Sequence, residues 1–107
     1  MGVAAVELDV LARIGKALSD ATRRLVLVNL LDGPQYPVEL ADRLGLTKAN
    51  VSNHLACLRG CGLVRATPEG RRVRYQLVND DLADALTALV SLVLPVDNPA
   101  CGPENGL

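Results

Sequence analysis

A mainly α-helical domain carrying one β-hairpin is the fold class this 107-residue chain predicts, and three observations point to it. Two short helical segments, Pro37–Leu44 and Lys48–Gly60, are separated by the tight turn Gly45-Leu46. Two stretches of alternating apolar residues follow, joined by Pro68-Glu69-Gly70. Longer helical patterns stand before and after this block. Together they describe a winged helix-turn-helix whose terminal helices pair two copies.

The elements follow in order. Val6, Val10, Leu11, Ile14 and Leu18 have helical spacing and predict a helix over residues 6–18. Ser19 or Asp20 suits the cap of a second helix over 22–31, which Asp32-Gly33 ends. Pro37 belongs in the first turn of the third helix. Thr47 is a good N-cap for the fourth. Strands are expected over 63–67, where Val64 and Ala66 alternate, and 72–78, where Val73, Tyr75 and Leu77 do. Asp80 or Asp81 would cap a last helix reaching about Leu94, before Pro95. Residues 1–94 are thus expected to form one winged helix-turn-helix domain. Residues 95–107, rich in Pro and Gly, form a loose C-terminal tail.

Composition narrows the class. Half the residues are hydrophobic and 21% are charged, which argues against disorder. There is no Phe or Trp and there are two Tyr, so the core must be aliphatic. So small a core gains from a dimer. The last helix supplies a surface for one, because it is apolar on more than one side. Leu82, Leu86, Leu89 and Val93 form the expected dimerisation stripe, which the first helix can join.

Three cysteines behind an N-terminus with no basic start or apolar run suggest a reduced, cytoplasmic protein with free thiols. The longest apolar stretch, 85–96, is too short to span a membrane and holds Pro95. No Ser-His-Asp set or glycine-rich phosphate loop is present, and the lone histidine, His54, has no placed acid partner, so an enzyme is not expected. Nor is an organic cofactor.

The formal net charge of −1 hides an asymmetry. Over 47–78 there are six Lys or Arg against Glu69 alone, a net +5; over 79–107 there are five acids and no Lys or Arg, a net −5. A basic segment in a near-neutral chain points to a local polyanion site. The helix-turn-helix gives it geometry. At about 100° per residue, Val51, Leu55 and Leu58 face the core, while Ala49, Ser52, Asn53 and Ala56 point away. Small and amide side chains fit a major groove, and Asn can pair with adenine edges. Thr47 and Lys48 stand at the helix start, within reach of phosphate, and His54 either bonds within the helix pair or reaches DNA. Arg71, Arg72 and Arg74 on the hairpin suit phosphate or minor-groove contacts, with Arg72 and Arg74 exposed opposite Val73 and Tyr75. Double-stranded operator DNA is the expected partner of these residues.

The cysteines add a second function. Cys57 and Cys61 are i, i+4 neighbours on the flank of that DNA-reading helix, and Cys101 is in the tail. A helical i, i+4 pair is too wide for a comfortable disulfide. Three thiolates make a soft site suited to lead, cadmium or arsenite, more than to structural zinc, which usually takes four ligands. His54 is a candidate fourth ligand. The six residues from Pro95 to Cys101 can span at most roughly 20–22 Å, so the tail can reach. Oxidation of Cys57 or Cys61 with Cys101 is the rival use.

Leu18-Ser19-Asp20-Ala21-Thr22-Arg23, Val51-Ser52-Asn53-His54-Leu55, Gly62-Leu63-Val64 and Glu69-Gly70-Arg71-Arg72-Val73-Arg74-Tyr75 resemble the ArsR/SmtB family of metal-responsive repressors, over about residues 8–94. The cysteine set resembles that of its cadmium- and lead-sensing members. The resemblance implies a homodimeric repressor of an efflux or resistance operon, released from DNA by a soft metal ion. It implies cadmium or lead as inducer, with arsenite or zinc as alternatives. It also implies ligands at Cys57 and Cys61 of one subunit and Cys101 of the other. Two other ligand patterns of the family are missing. Val38-Glu39-Leu40-Ala41-Asp42 carries no Cys-x-Cys pair, and the last helix has no histidine.

Overall fold

The computed structural model describes residues 2 and 4–95, and Cys101 with its tail lies outside them. The chain runs α1 (Ala5–Leu18), α2 (Ala21–Asn29), a 3-10 turn (Leu30–Asp32), α3 (Pro37–Leu44), α4 (Lys48–Gly60), β1 (Val64–Glu69), β2 (Arg72–Leu77) and α5 (Asp80–Val90). β1 and β2 form one antiparallel hairpin.

Local chemistry sets the boundaries. Asp20 caps α2, its Oδ2 accepting from Arg23 N at 2.9 Å. Pro37 opens α3, where the missing N–H costs nothing. Gly45 closes α3 at φ 67°, a left-handed conformation that favours glycine, and Leu46 N then donates to Ala41 O. Thr47 Oγ1 accepts from Asn50 N at 3.1 Å and starts α4.

Three expectations are corrected. Pro68 and Glu69 belong to β1, with Glu69 opposite Arg72, so the turn is the pair Gly70-Arg71. Gly70 has φ 62°, which suits the first central position of a two-residue turn. The cap of α5 is Asn79, whose Oδ1 accepts from Leu82 N; Asp80 and Asp81 fall in the first turn instead. Finally, α5 ends at Val90, not Leu94, because Leu92, Val93 and Leu94 are 60%, 92% and 68% exposed and have no packing to hold another turn.

The core is aliphatic. Val26 and Leu27 of α2, Leu40 and Ala41 of α3, and Val51, Leu55 and Leu58 of α4 are buried together. Leu63, Val64 and Leu77 join the hairpin to them, and Leu82 and Leu86 attach α5. The expected dimerisation stripe therefore divides: Leu82 and Leu86 belong to the chain's own core, while Leu89 and Val93 are exposed. α1 buries only Ala17 fully, leaving Val6, Leu8, Val10 and Leu11 exposed.

Candidate nucleic-acid interface and thiol site

The packing of α4 orients everything it carries. Val51, Leu55 and Leu58 are fully buried, so the opposite side faces solvent. Lys48, Ala49, Asn53 and Ala56 are exposed there, and Ser52 is half-buried. Thr47 is also exposed, with its hydroxyl committed to the cap. His54 turns another way. Its Nδ1 stands 3.9 Å from Asp20 Oδ2, at the start of α2, and its side chain is mostly covered. The Arg23 N–H bond chiefly holds the Asp20 carboxyl below its usual range. Partial burial opposes this, and the Arg23 and His54 charges assist it.

The wing is less regular than alternation predicts. Arg72 is exposed as expected and Arg71 is exposed beside it, but Arg74, also expected to be exposed, is half-buried, and Val73 is exposed. Arg74 Nε is buried without a hydrogen-bond partner and lies 3.9 Å from Glu69 Oε1. Residues 68–73 at the hairpin tip are all exposed, so neither face is covered there.

One residue that sequence reasoning missed joins wing to helix. The Tyr36 hydroxyl donates to Glu69 Oε1 at 2.5 Å, and Arg72 Cζ sits 3.4 Å from the centre of the Tyr36 ring. Tyr36, Lys48, Ser52, Arg71 and Arg72 line one groove of about 270 Å³ between α3, α4 and the hairpin. The available signal was composition: Tyr36 is one of two aromatics in the chain and immediately precedes the helix-turn-helix.

Cys57 is exposed on α4, while Cys61 is half-buried at its C-cap, against the core. Both are free thiols, and Cys61 N donates to Cys57 O at 3.1 Å, which keeps the two in helical register. α1 brings Arg13 near, paired with Asp9 at 2.7 Å. Asp9 raises the Arg13 pKa, and Cys61 does so more weakly. Among the described residues no three His, Cys, Asp or Glu side chains converge as a metal site. Of the two soft donors, Cys57 is open to solvent and Cys61 is partly covered.

Residues 20–66, from the cap of α2 through α3 and α4 into β1, match the family described as bacterial regulatory protein, arsR family. The chain is 64% identical over 87 residues to the HTH-type transcriptional regulator CmtR of Mycobacterium tuberculosis and Mycobacterium bovis, covering 81% of this chain and 74% of CmtR. The chain belongs to the arsR family. It is a DNA-binding helix-turn-helix transcriptional regulator, a class distinct from enzymes. The solution structure of the cadmium metal-sensor CmtR from M. tuberculosis matches with a TM-score of 0.66 at 63% identity, over 81% of this chain and 91% of that one. A homodimeric winged helix-turn-helix DNA-binding domain from M. bovis matches with a TM-score of 0.75 at 32% identity, over 80% of each chain. A probable mercury resistance operon repressor of Streptomyces lividans is 35% identical over 92 residues, 86% of this chain and 72% of that one. No described helix is long and apolar enough to cross a membrane.

Proposed function

We propose that this chain is a metal-responsive repressor of the cytoplasm, which binds operator DNA as a homodimer and is released by cadmium or lead held by Cys57, Cys61 and Cys101. The observation that carries the reading is the placement of two free thiols on the DNA-reading helix itself. One flank of α4 offers soft ligands while its exposed face offers Lys48, Ala49, Ser52 and Asn53 to a major groove. Arg71 and Arg72 flank that face from the wing, lining a groove with Lys48 and Ser52, and Arg74 follows Arg72 on β2. The similarity to a relative named as a cadmium sensor supports the choice of ion. The exposed apolar residues of α1, together with Leu89 and Val93, supply the dimer surface.

Cadmium titration of the wild type, Cys57→Ser, Cys61→Ser and Cys101→Ser tests this. Ultraviolet thiolate-to-metal absorption and operator release are followed together. Cys57→Ser and Cys61→Ser are expected to abolish release. Cys101→Ser is expected to weaken binding and leave a two-thiolate complex. Wild-type absorption, affinity and release in Cys101→Ser would remove the tail from the site. Release by an oxidant, with no metal absorption, would favour thiol oxidation.

A further inference from the structure

We propose that Tyr36 is a positioning residue for DNA binding, holding Arg72 ready for a backbone phosphate. The inference rests on the DNA-binding reading of the wing. It goes further by assigning a role to a side chain outside both the reading helix and the hairpin.

The backbone explains why Tyr36 is placed so firmly. Gln35 N donates to Tyr75 O at 2.9 Å and Tyr75 N donates to Gln35 O at 2.8 Å, bridging this segment to β2. Gln35 is itself buried, with Nε2 donating to Asn29 O at 2.6 Å. On the other side, Tyr36 N donates to Glu39 Oε1 and Pro37 starts α3. Tyr36 therefore sits on a pinned joint between hairpin and helix-turn-helix. Its ring is fixed at the far end by the bond to Glu69. That bond raises the Tyr36 pKa, which keeps the phenol in its donating, neutral form.

Arg72 stacks on this ring with its Cζ 3.4 Å from the centroid, and among the described residues its guanidinium has no salt-bridge partner. A guanidinium held by its face keeps its N–H edges available, and those edges match phosphate oxygens. A free arginine at a hairpin tip would lose rotamer freedom on meeting DNA; one already stacked loses less. Glu69, opposite Arg72 in the hairpin, is turned toward Tyr36 and Arg74 through its Oε1. Lys48, Ser52 and Arg71 line the same groove, so a phosphate reaching Arg72 there meets further cationic and polar groups.

A double-mutant cycle on full-length apo protein tests the assignment, reading affinity for an operator duplex by fluorescence anisotropy. Tyr36→Ala is expected to weaken binding by about two- to five-fold, the range of an exposed cation–π contact. Arg72→Ala weakens it at least as much, and the double variant is no weaker than Arg72→Ala alone. Tyr36→Phe, which keeps the ring face, retains most of the affinity. NMR of the Arg72 side chain gives a readout independent of DNA. Its protons, shifted upfield by the ring in wild type, return toward ordinary values in Tyr36→Ala. Three outcomes overturn the proposal: wild-type affinity in Tyr36→Ala, losses that add fully in the double variant, or an unshifted Arg72 in wild type. Failure of wild type to bind any duplex would instead defeat the DNA reading, and this proposal with it.

Discussion

Leu86 and Leu89 lie three residues apart on α5, and the structure assigns their substitutions different consequences. Leu86 is 3% exposed and sits in the chain's own core; Leu89 is 46% exposed. Leu86→Ala should cost the fold about 2–5 kcal/mol, the usual range for a truncated core leucine. Leu89 has almost half its surface left to bury. Complete burial of a leucine gives about 1.5–3 kcal/mol, so seating Leu89 against a second copy gives roughly 1 kcal/mol per subunit. Leu89→Glu loses that contribution twice and forces two carboxylates out of water, at several kcal/mol each. A loss of about 5 kcal/mol or more raises the dimer dissociation constant by over three decades. Sedimentation equilibrium at micromolar concentration should show wild type as a dimer and Leu89→Glu as a folded monomer. Leu86→Ala should lower the melting temperature at every protein concentration. A dimeric Leu89→Glu variant, or a Leu86→Ala variant that changes association without loss of stability, would refute this division of α5.

Two glycines offer the same chemical change with opposite expected signs. A Cβ on Gly45 meets nothing within 4 Å, but φ is 67°, so Gly45→Ala should cost about 1–2 kcal/mol by conformation alone. Gly60 is helical and equally uncrowded, so Gly60→Ala should stabilise by about 0.4–1 kcal/mol. Urea unfolding with unchanged m-values measures both, and shifts of the same sign would defeat the argument. Asp20 predicts an acid limb. Its carboxyl pKa is depressed, so its contribution is present above the ordinary carboxylate range and is lost as pH falls through the folded value. Asp20→Asn keeps a capping oxygen without the titration and should flatten stability against pH below about pH 4; Asp20→Ala should lose about 1 kcal/mol near neutrality. An unchanged acid limb in Asp20→Asn would exclude this carboxylate as its source.

The helix-turn-helix was legible because its boundaries carry their own chemistry. Pro37, Gly45 and Thr47 mark starts and stops that sequence reasoning placed at Pro37–Leu44 and Lys48–Gly60, as the structure has them. The inward face of α4 was equally legible, since Val51, Leu55 and Leu58 follow the helical period. The end of α5 was not. An apolar stripe reads alike whether it meets its own core or a second copy, and only the packing separates Leu82 and Leu86 from Leu89 and Val93. Tyr36 was missed for a related reason. Its value comes from Glu69 and Arg72, over thirty positions away, which no local period connects to it.

The same packing limits how a metal could act on DNA binding. Rotating α4 about its axis would pull Val51, Leu55 and Leu58 from full burial, and each such side chain is held by about 1.5–3 kcal/mol. That total exceeds the ~1–3 kcal/mol typical of coupling between two sites. On the proposed reading, release therefore does not come from turning the reading helix in place. The thiols sit in its last turns, and Cys61 is its C-cap. Only Gly62, at φ 82°, and Leu63 separate Cys61 from β1. On the proposed reading, an ion held by Cys57, Cys61 and Cys101 would act at this junction, where the chain leaves α4 for the wing. On that reading, an ion would be felt by the operator-binding arginines through the short link from α4 to the wing.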